Sequence, residues 1–309
     1  MDKFVVSNSP FIHSGNDINK MFLYTSIALL IPAIYGVTFF GLRALFVILI
    51  SVASCIVFEA LFNLMFKKKL FVDNFSCVVS GLILALTLPV SVPYETVVFS
   101  AFVAEIVVKL AFGGLGRNKF NPANTARCFA GVMSSGLSGA LYEFTLNGDK
   151  MVSITAGGTN TISSLLTGQA VGGIGTTCCL IIVFCYVFLV YTGVIDFKIP
   201  IVAVVAYFIT SLTMTGLNWS VINMCSGSFL FLSVFCLTDP NTSPDTFIGK
   251  MVYSILFGVL SALVWKLGSL GENSLFVVLL FVNLLVPMMD RYFAWKPTSV
   301  GGYRYAHKN

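Results

Sequence analysis

The chain has few charged residues and almost no histidine. Only 10% of its 309 residues are Asp, Glu, Lys or Arg, and its two histidines, His13 and His307, lie near opposite ends. So little charge argues against the mixed surface of a soluble domain, and histidines so far apart argue against a metal or haem site built from a histidine pair. The first twenty residues also lack the basic start, short apolar run and cleavage site of a secretory signal.

Cysteine pairs with the CxxC spacing and basic stripes are missing too. The eight cysteines include no CxxC pair and lie within or beside apolar runs, which is typical of small buried residues. The net charge of +5 is spread over loops and the tail, without the basic stripe interleaved with aromatics that nucleic-acid binding needs. We therefore predict no metal site, no catalytic residues of a self-contained active site and no nucleic-acid partner.

What the chain has in abundance is apolar sequence. Hydrophobic residues make up 57% of it, and its mean hydropathy is +0.92. Because a membrane-spanning helix needs about 20 mostly apolar residues, the apolar runs predict an all-α polytopic membrane protein with about ten transmembrane helices. The predicted spans are 21–40, 42–64, 75–92, 95–112, 127–142, 171–193, 199–217, 221–237, 250–268 and 274–289.

Two of these runs, one in each half, are short or interrupted. The third contains Gly81 and ends in LPVSVP, and the eighth opens with CSGS around Gly227. Such segments in both halves of a membrane protein indicate broken helices that line a polar site.

Lysine and arginine are distributed unevenly among the connecting segments. If the amino terminus is cytoplasmic, the basic residues at 67–69, 117–127, 198 and 291–308 share its side of the membrane. The positive-inside rule then predicts that both termini are cytoplasmic. The membrane domain would cover 21–289, between an amino-terminal segment 1–20 and a tail 290–309, with an outer loop at about 142–170.

Two polar stretches resemble each other and precede apolar runs: FNPANT at 120–125 and TDPNTS at 238–243. In the first, Asn121 is a favoured N-cap and Pro122 suits the first helical position, and the same reasoning predicts a helix start at Asp239-Pro240. A helix amino terminus favours an anionic or acceptor-rich ligand; plain capped helix starts are the alternative. The longer stretch GGLGRNKFNPANTAR falls on the cytoplasmic side, where water or protein can satisfy its polar groups.

Three ionisable residues lie inside predicted spans. Glu105 and Lys109 are four positions apart, so they share a helical face and could pair, while Glu59 is in the second run. Charges at membrane depth are candidates for function, since each costs about 2.5–3.5 kcal/mol on insertion scales. Lys109 lies near the cytoplasmic end of its predicted span, which favours snorkelling, in which the side chain extends its charge to the membrane surface. For the two glutamates both interpretations stand, and we predict that Glu105 takes part in a cation path or in contacts with other subunits.

Five collinear stretches carry a family resemblance: SNSPFIHSG, FFGLRALFVILISVASCIVFE, FGGLGRNKFNPANTARCF, LTDPNTSP and LLVPMMDRY. They resemble the D subunit of the Rnf electron-transport complex, a close relative of the B subunit of the sodium-pumping NADH:quinone oxidoreductase. The resemblance implies a subunit of a bacterial or archaeal cell-membrane complex that couples electron transfer between ferredoxin and NAD to sodium or proton transport. It implies other subunits and membrane lipid as partners, with ferredoxin and NAD reached only through those subunits.

The resemblance also implies flavin cofactors: FMN joined through its phosphate to a threonine on the outer face, and riboflavin near the membrane. The family pattern there is an acidic residue, a small-small-Thr run and Pro-Leu, from which this chain departs with GDKMVSITAGGTNTISSLLTGQ. Thr159, after three small residues, is the first candidate for attachment. Thr155, at the family's distance after Asp149, is the second. A channel or transporter-like subunit, or a structural scaffold without covalent flavin, is the alternative.

Overall fold

The computed structural model describes residues 18–65, 75–114, 116, 118–133, 172–225, 228–267 and 273–293. These residues form helices and turns without a β-strand, which confirms the all-α class. The α-helices are α1 (Ile18–Phe40), α2 (Leu42–Met65), α3 (Ser76–Thr87), α4 (Tyr94–Phe102), α5 (Pro122–Met133), α6 (Cys179–Tyr191), α7 (Lys198–Thr215), α8 (Leu217–Cys225), α9 (Phe229–Phe231), α10 (Phe247–Leu267) and α11 (Asn273–Phe293).

Five helices are long and apolar enough to cross a membrane by length and composition: α1, α2, α7, α10 and α11. The shorter apolar helices include α3 and α6, with 12 and 13 residues. The eighth predicted run is divided between α8 and α9, so the short, interrupted helices predicted in both halves are confirmed. The number of crossings remains a prediction.

The long helices expose large apolar side chains. Ile34 on α1, Leu64 on α2 and Leu284 on α11 are 65%, 70% and 60% exposed. Soluble monomers rarely show extended apolar surface, whereas a helix that is apolar on all sides suits a membrane. The outer faces of these helices therefore suit contact with lipid.

An aromatic stack joins α7, α9 and α10 in the interior. The ring centroids of Tyr207 and Phe229 are 4.1 Å apart, and Phe229 stacks on Phe257 at 5.6 Å. Next to this stack, Gly258 lets α10 approach α7 closely, because a Cβ there would collide with the carbonyl oxygen of Ala203. Small residues at helix crossings are the usual means of close packing in membranes.

Two helices continue into π-helices, α4 into Val103–Leu110 and α9 into Leu232–Cys236. The Ala111 N–H donates to the carbonyl of Ile106 at 2.9 Å, and the Leu237 N–H to that of Leu232 at 2.8 Å, the i to i+5 pattern of a π-turn. Such turns are frequent at functional sites. Each of them leads directly into one of the polar stretches that the sequence singles out.

Candidate functional site

The amino terminus of α5 is capped as the sequence predicts. The Asn124 N–H donates to Asn121 Oδ1 at 3.1 Å, and the helix begins at Pro122. The side chain of Asn124 also donates to the carbonyl of Phe276 on α11, at 3.0 Å. Asn118, Asn121 and Asn124 are 4%, 3% and 1% exposed, so protein rather than water surrounds this stretch.

The second polar stretch forms turns, which corrects the helix start predicted at Asp239-Pro240. The Asn241 N–H donates to Asp239 Oδ1 at 3.1 Å, and the Ser243 N–H donates to the Asp239 carbonyl at 3.0 Å. Helix α10 starts only at Phe247. Pro244 gives the physical reason, because proline disfavours helical dihedrals at the residue before it and has no N–H to donate.

The two look-alike stretches meet through their leading polar residues. Asn121 Nδ2 donates to Asp239 Oδ2 at 3.1 Å, and the Thr242 hydroxyl lies 3.4 Å from the same oxygen. Burial raises the pKa of Asp239 to about 6, against the opposing effect of the hydrogen bonds from Asn241, Thr242 and Asn121. Its carboxyl lies deep in the protein but on the wall of a partly open cavity, so it is partly accessible.

That cavity measures about 180 Å³ and lies between the two polar stretches and helices α1, α3 and α6. Its wall combines polar and apolar side chains, among them Phe22, Ser80, Ile83, Lys109, Asn118, Asn121, Leu189, Phe235 and Asp239. The side-chain oxygen of Asn118 is buried there without a hydrogen-bond partner. Since ligand pockets usually measure about 300–1,000 Å³, the cavity suits part of a ligand rather than a whole nucleotide.

Lys109, on the cavity wall, binds two carboxylates. Its Nζ lies 2.8 Å from Glu105 Oε2 and 3.2 Å from Glu59 Oε2. The predicted Glu105–Lys109 pair is confirmed. The prediction that Lys109 snorkels is wrong, because its side chain is only 3% exposed and two carboxylates inside the protein satisfy the ammonium group. The sequence pattern does not identify Glu59 as a partner, although a charge within an apolar run is a signal.

The positive-inside rule predicts that Arg127 lies at the cytoplasmic surface. In the structure it is buried within α5 instead. It is 1% exposed, and its Nε donates to the Thr87 carbonyl at 2.9 Å. Its Nη1 donates to Asn273 Oδ1 at 2.8 Å, and its guanidinium lies 4.7 Å from the Phe276 ring centroid. A cation suits the carboxyl end of a helix, where carbonyls lack partners and the dipole is negative. Arg127 therefore caps α3 inside the protein.

The segment 172–178 completes the buried end of α3. The Ile174 N–H donates to the Leu88 carbonyl at 3.0 Å, and the Gly175 N–H donates to the Leu86 carbonyl at 2.8 Å. A Cβ on Gly173 would lie 2.6 Å from the carbonyl oxygen of Thr87, so only glycine allows this approach. Irregular backbone at membrane depth is tolerated where protein buries and bonds it in this way.

The predicted flavin-attachment candidates, Thr159 and Thr155, lie outside the described residues, as do the outer loop at about 142–170 and most of both terminal segments. Flavin attachment at these threonines remains a prediction. Of the predicted site residues, the structure brings together the two polar stretches and the ionisable residues of the spans.

Apolar outer faces, short helices with buried ends and a cluster of buried polar residues define a polytopic membrane protein with a polar site between its helices. Residues 5–299 match the model of the NQR2, RnfD, RnfE family. The chain belongs to that family.

Curated relatives of similar length have related names. The D subunit of the Na⁺-translocating ferredoxin:NAD⁺ oxidoreductase complex of Acetobacterium woodii is 31% identical over 93% of this chain and 92% of its own. The D subunit of the proton-translocating ferredoxin:NAD⁺ oxidoreductase complex of Clostridium ljungdahlii is 26% identical, covering 94% of each chain. The D subunit of the ion-translocating oxidoreductase complex of Mannheimia succiniciproducens is 29% identical over 99% of this chain and 100% of its own.

Proposed function

We propose that this chain is the D subunit of an ion-translocating complex that couples electron transfer between ferredoxin and NAD to ion transport in a bacterial or archaeal cell membrane. The observation that carries the proposal is the end-to-end similarity to proteins of that name, 31% identical over 93% of this chain in one case. The long and short helices together would make about ten crossings, with both termini cytoplasmic.

The transported ion is tested with the assembled complex. Inverted membrane vesicles that contain the complex are supplied with reduced ferredoxin and NAD⁺, and ion uptake is followed with a sodium isotope and a pH-sensitive dye. We expect ferredoxin-dependent NAD⁺ reduction to drive uptake of one of the two ions, and deletion of this chain to abolish both activities. NAD⁺ reduction and ion uptake that persist at full rate without this chain would refute the proposal.

Within that complex we propose that the chain carries FMN, joined through its phosphate to Thr159, with Thr155 as second choice. A covalent tether suits electron transfer, because the protein then fixes the position of the cofactor relative to the next carrier. The chain departs from the family pattern around both threonines, so the site needs a direct test.

In-gel flavin fluorescence after denaturation tests this attachment. The wild-type chain, produced together with the flavin-attaching enzyme, should fluoresce, and mass spectrometry should place the flavin phosphate on the peptide that contains Thr159. Thr159→Ala should remove the signal, whereas Thr213→Ala, a change at an exposed threonine of α7, should not. A wild-type chain without fluorescence would show that no covalent flavin is present.

We further propose that the cavity between the two polar stretches holds part of a riboflavin. The cavity combines apolar side chains with amide groups, and the free oxygen of Asn118 can accept a hydrogen bond from a ring N–H. Acid precipitation releases a non-covalent flavin but not a covalent one. We expect Asn118→Leu to lower the released fraction and to leave in-gel fluorescence unchanged. An unchanged released fraction would exclude this cavity.

A channel or transporter-like protein without flavin is the second candidate, favoured by the buried end of α3 and by the cavity. An optical spectrum of the isolated chain separates the two, since a flavin bleaches on reduction with dithionite. A colourless chain that moves ions would support the second candidate, and a colourless chain that only co-purifies with partners would support a scaffold.

A further inference from the structure

The charges around Lys109 do not balance. Two carboxylates, Glu59 from α2 and Glu105 from the π-helix after α4, face one ammonium group at 3.2 Å and 2.8 Å. If both glutamates were ionised, the cluster would carry one net negative charge. Glu105 is 0% exposed, and an uncompensated charge in such a place is strongly unfavourable.

Other groups that face the cluster do not supply the missing positive charge. Among the described residues these are the thiols of Cys55 on α2 and Cys77 on α3, together with the hydroxyl of Ser80 on α3. Thiols and hydroxyls are neutral at physiological pH. The acidic Asp239 lies on the wall of the same cavity as Lys109 and adds no positive charge either.

One atom of the cluster lacks a partner. Glu105 Oε1 is buried and, as an acceptor, receives no hydrogen bond. The Ser80 hydroxyl is a hydrogen-bonding neighbour of this carboxyl. In the structure it donates to the carbonyl of Ser76 at 3.0 Å, which leaves its oxygen able to accept a hydrogen bond. A proton on Glu105 Oε1 would turn an unsatisfied acceptor into a donor to Ser80 and would remove the excess negative charge.

We propose that Glu59, Lys109 and Glu105 form a proton-binding site, in which one proton resides on Glu105 Oε1 and exchanges with water through the adjacent cavity. Binding forms one O–H bond on Glu105 Oε1 and breaks one O–H bond of a hydronium ion in the cavity, which becomes water, and no oxidation state changes. Ser80 and Lys109 line that cavity and give the cluster its route to water. The site does not depend on which ion the complex transports or on a bound flavin.

Infrared spectroscopy of the purified complex tests the site, because a protonated carboxylic acid has a C=O stretching band that shifts in D₂O. We compare the wild type with Glu105→Gln, Glu59→Gln and the control Glu95→Gln, a change at an exposed residue in the first turn of α4. We expect one carboxylic-acid band of the wild type to be lost in both Glu105→Gln and Glu59→Gln. The loss in both variants is diagnostic of one proton held by the pair of carboxylates, since either carboxylate alone is balanced by Lys109 and needs no proton.

The control should keep the band. A wild-type spectrum that matches those of both test variants would overturn the proposal, and so would a band that survives in Glu59→Gln, because charge balance would then not govern the proton. Glu59 is the less buried partner, with 14% of its side chain exposed. Glu59→Gln therefore keeps the test decisive if Glu105→Gln fails to assemble.

Discussion

Lys109 has two carboxylate partners and almost no contact with water. Its contacts at 2.8 Å and 3.2 Å come from two different helical segments, so one side chain ties α2 to the π-helix after α4. Such a buried group is weak evidence for stability on its own, but removing one partner leaves charge without compensation. The stability of the protein should therefore be sensitive to substitution of Lys109.

We expect Lys109→Met to destabilise the protein by about 3–5 kcal/mol, the usual cost of breaking a buried ion pair. The effect is measured by heating the complex in detergent and monitoring the loss of this chain from the complex. Lys266→Met on α10 is the control, since Lys266 is exposed and the change should cost within about 0.5 kcal/mol. Adding Glu59→Gln to Lys109→Met should restore part of the stability. Equal costs for the two lysines would contradict the expectation.

The stability of the protein should depend on pH through Asp239. Burial raises its pKa from the ordinary 3.8 to about 6, so the folded protein binds this proton more tightly than the unfolded chain. The stability from this group is then complete below about pH 4 and is lost as the pH rises through about 6. We expect the unfolding temperature of the wild type to fall over this window relative to that of Asp239→Asn. The difference would correspond to at most about 3 kcal/mol, and parallel curves would contradict it.

At the scale of elements, the end of α3 shows what a sequence pattern can and cannot predict. Hydrophobic runs predict where helices lie, and the run at 75–92 with its Gly81 and LPVSVP indicates a short helix, which ends at Thr87. The partners of that end are not predictable, because Arg127 and Ile174 are far away in sequence and only the folded chain brings them there. For the same reason the sequence pattern alone makes Arg127 look like a surface charge.

We expect Arg127→Met to destabilise the packing of α3, α5 and α11, because the Thr87 carbonyl and the Asn273 side chain each lose a charged donor. Each such hydrogen bond contributes about 1.5–3 kcal/mol. Arg127→Lys should recover only part, since a single ammonium group lacks the planar fork that reaches two acceptors. Unfolding temperature measures both variants. Arg43→Met is the control, because Arg43 is exposed with one bond of 3.2 Å to the Ser91 carbonyl, and an equal loss there would contradict the role of Arg127.

At the scale of the whole molecule, composition is enough to predict the class of protein, and the paired polar stretches are enough to predict the family. The site is predictable in part. The capping of α5 by Asn121 and the Glu105–Lys109 pair follow from local spacing, whereas the contact of Asn121 with Asp239 and the approach of Glu59 join distant segments. The capping pattern predicts a helix at Asp239 because it takes no account of Pro244.

The proposed attachment of FMN to this chain gives a prediction for the whole complex. The double variant Thr159→Ala/Thr155→Ala should assemble with its partners, since it removes two hydroxyl groups and no span, yet ferredoxin-dependent NAD⁺ reduction should stop. Thr213→Ala, on α7, should leave the rate unchanged. Purification through a tag on this chain measures assembly, and the absorbance of NADH measures the rate. A double variant with the wild-type rate would place the electron path elsewhere.

The π-helix at Val103–Leu110 also bears on the genetics of the family. A turn closed from i to i+5 contains one residue more than an α-helical turn, so loss of a single codon within it would return the segment to an ordinary helix. A residue lost from a regular α-helix rotates everything after it by about 100°. Here the wide turn already accommodates the extra residue, so the helices on either side would keep nearly the same register, and only the spacing of Glu105 and Lys109 would change if the lost residue lay between them. The smallest in-frame deletion would therefore change the local geometry of the charged cluster and leave the membrane character of the helix unaltered.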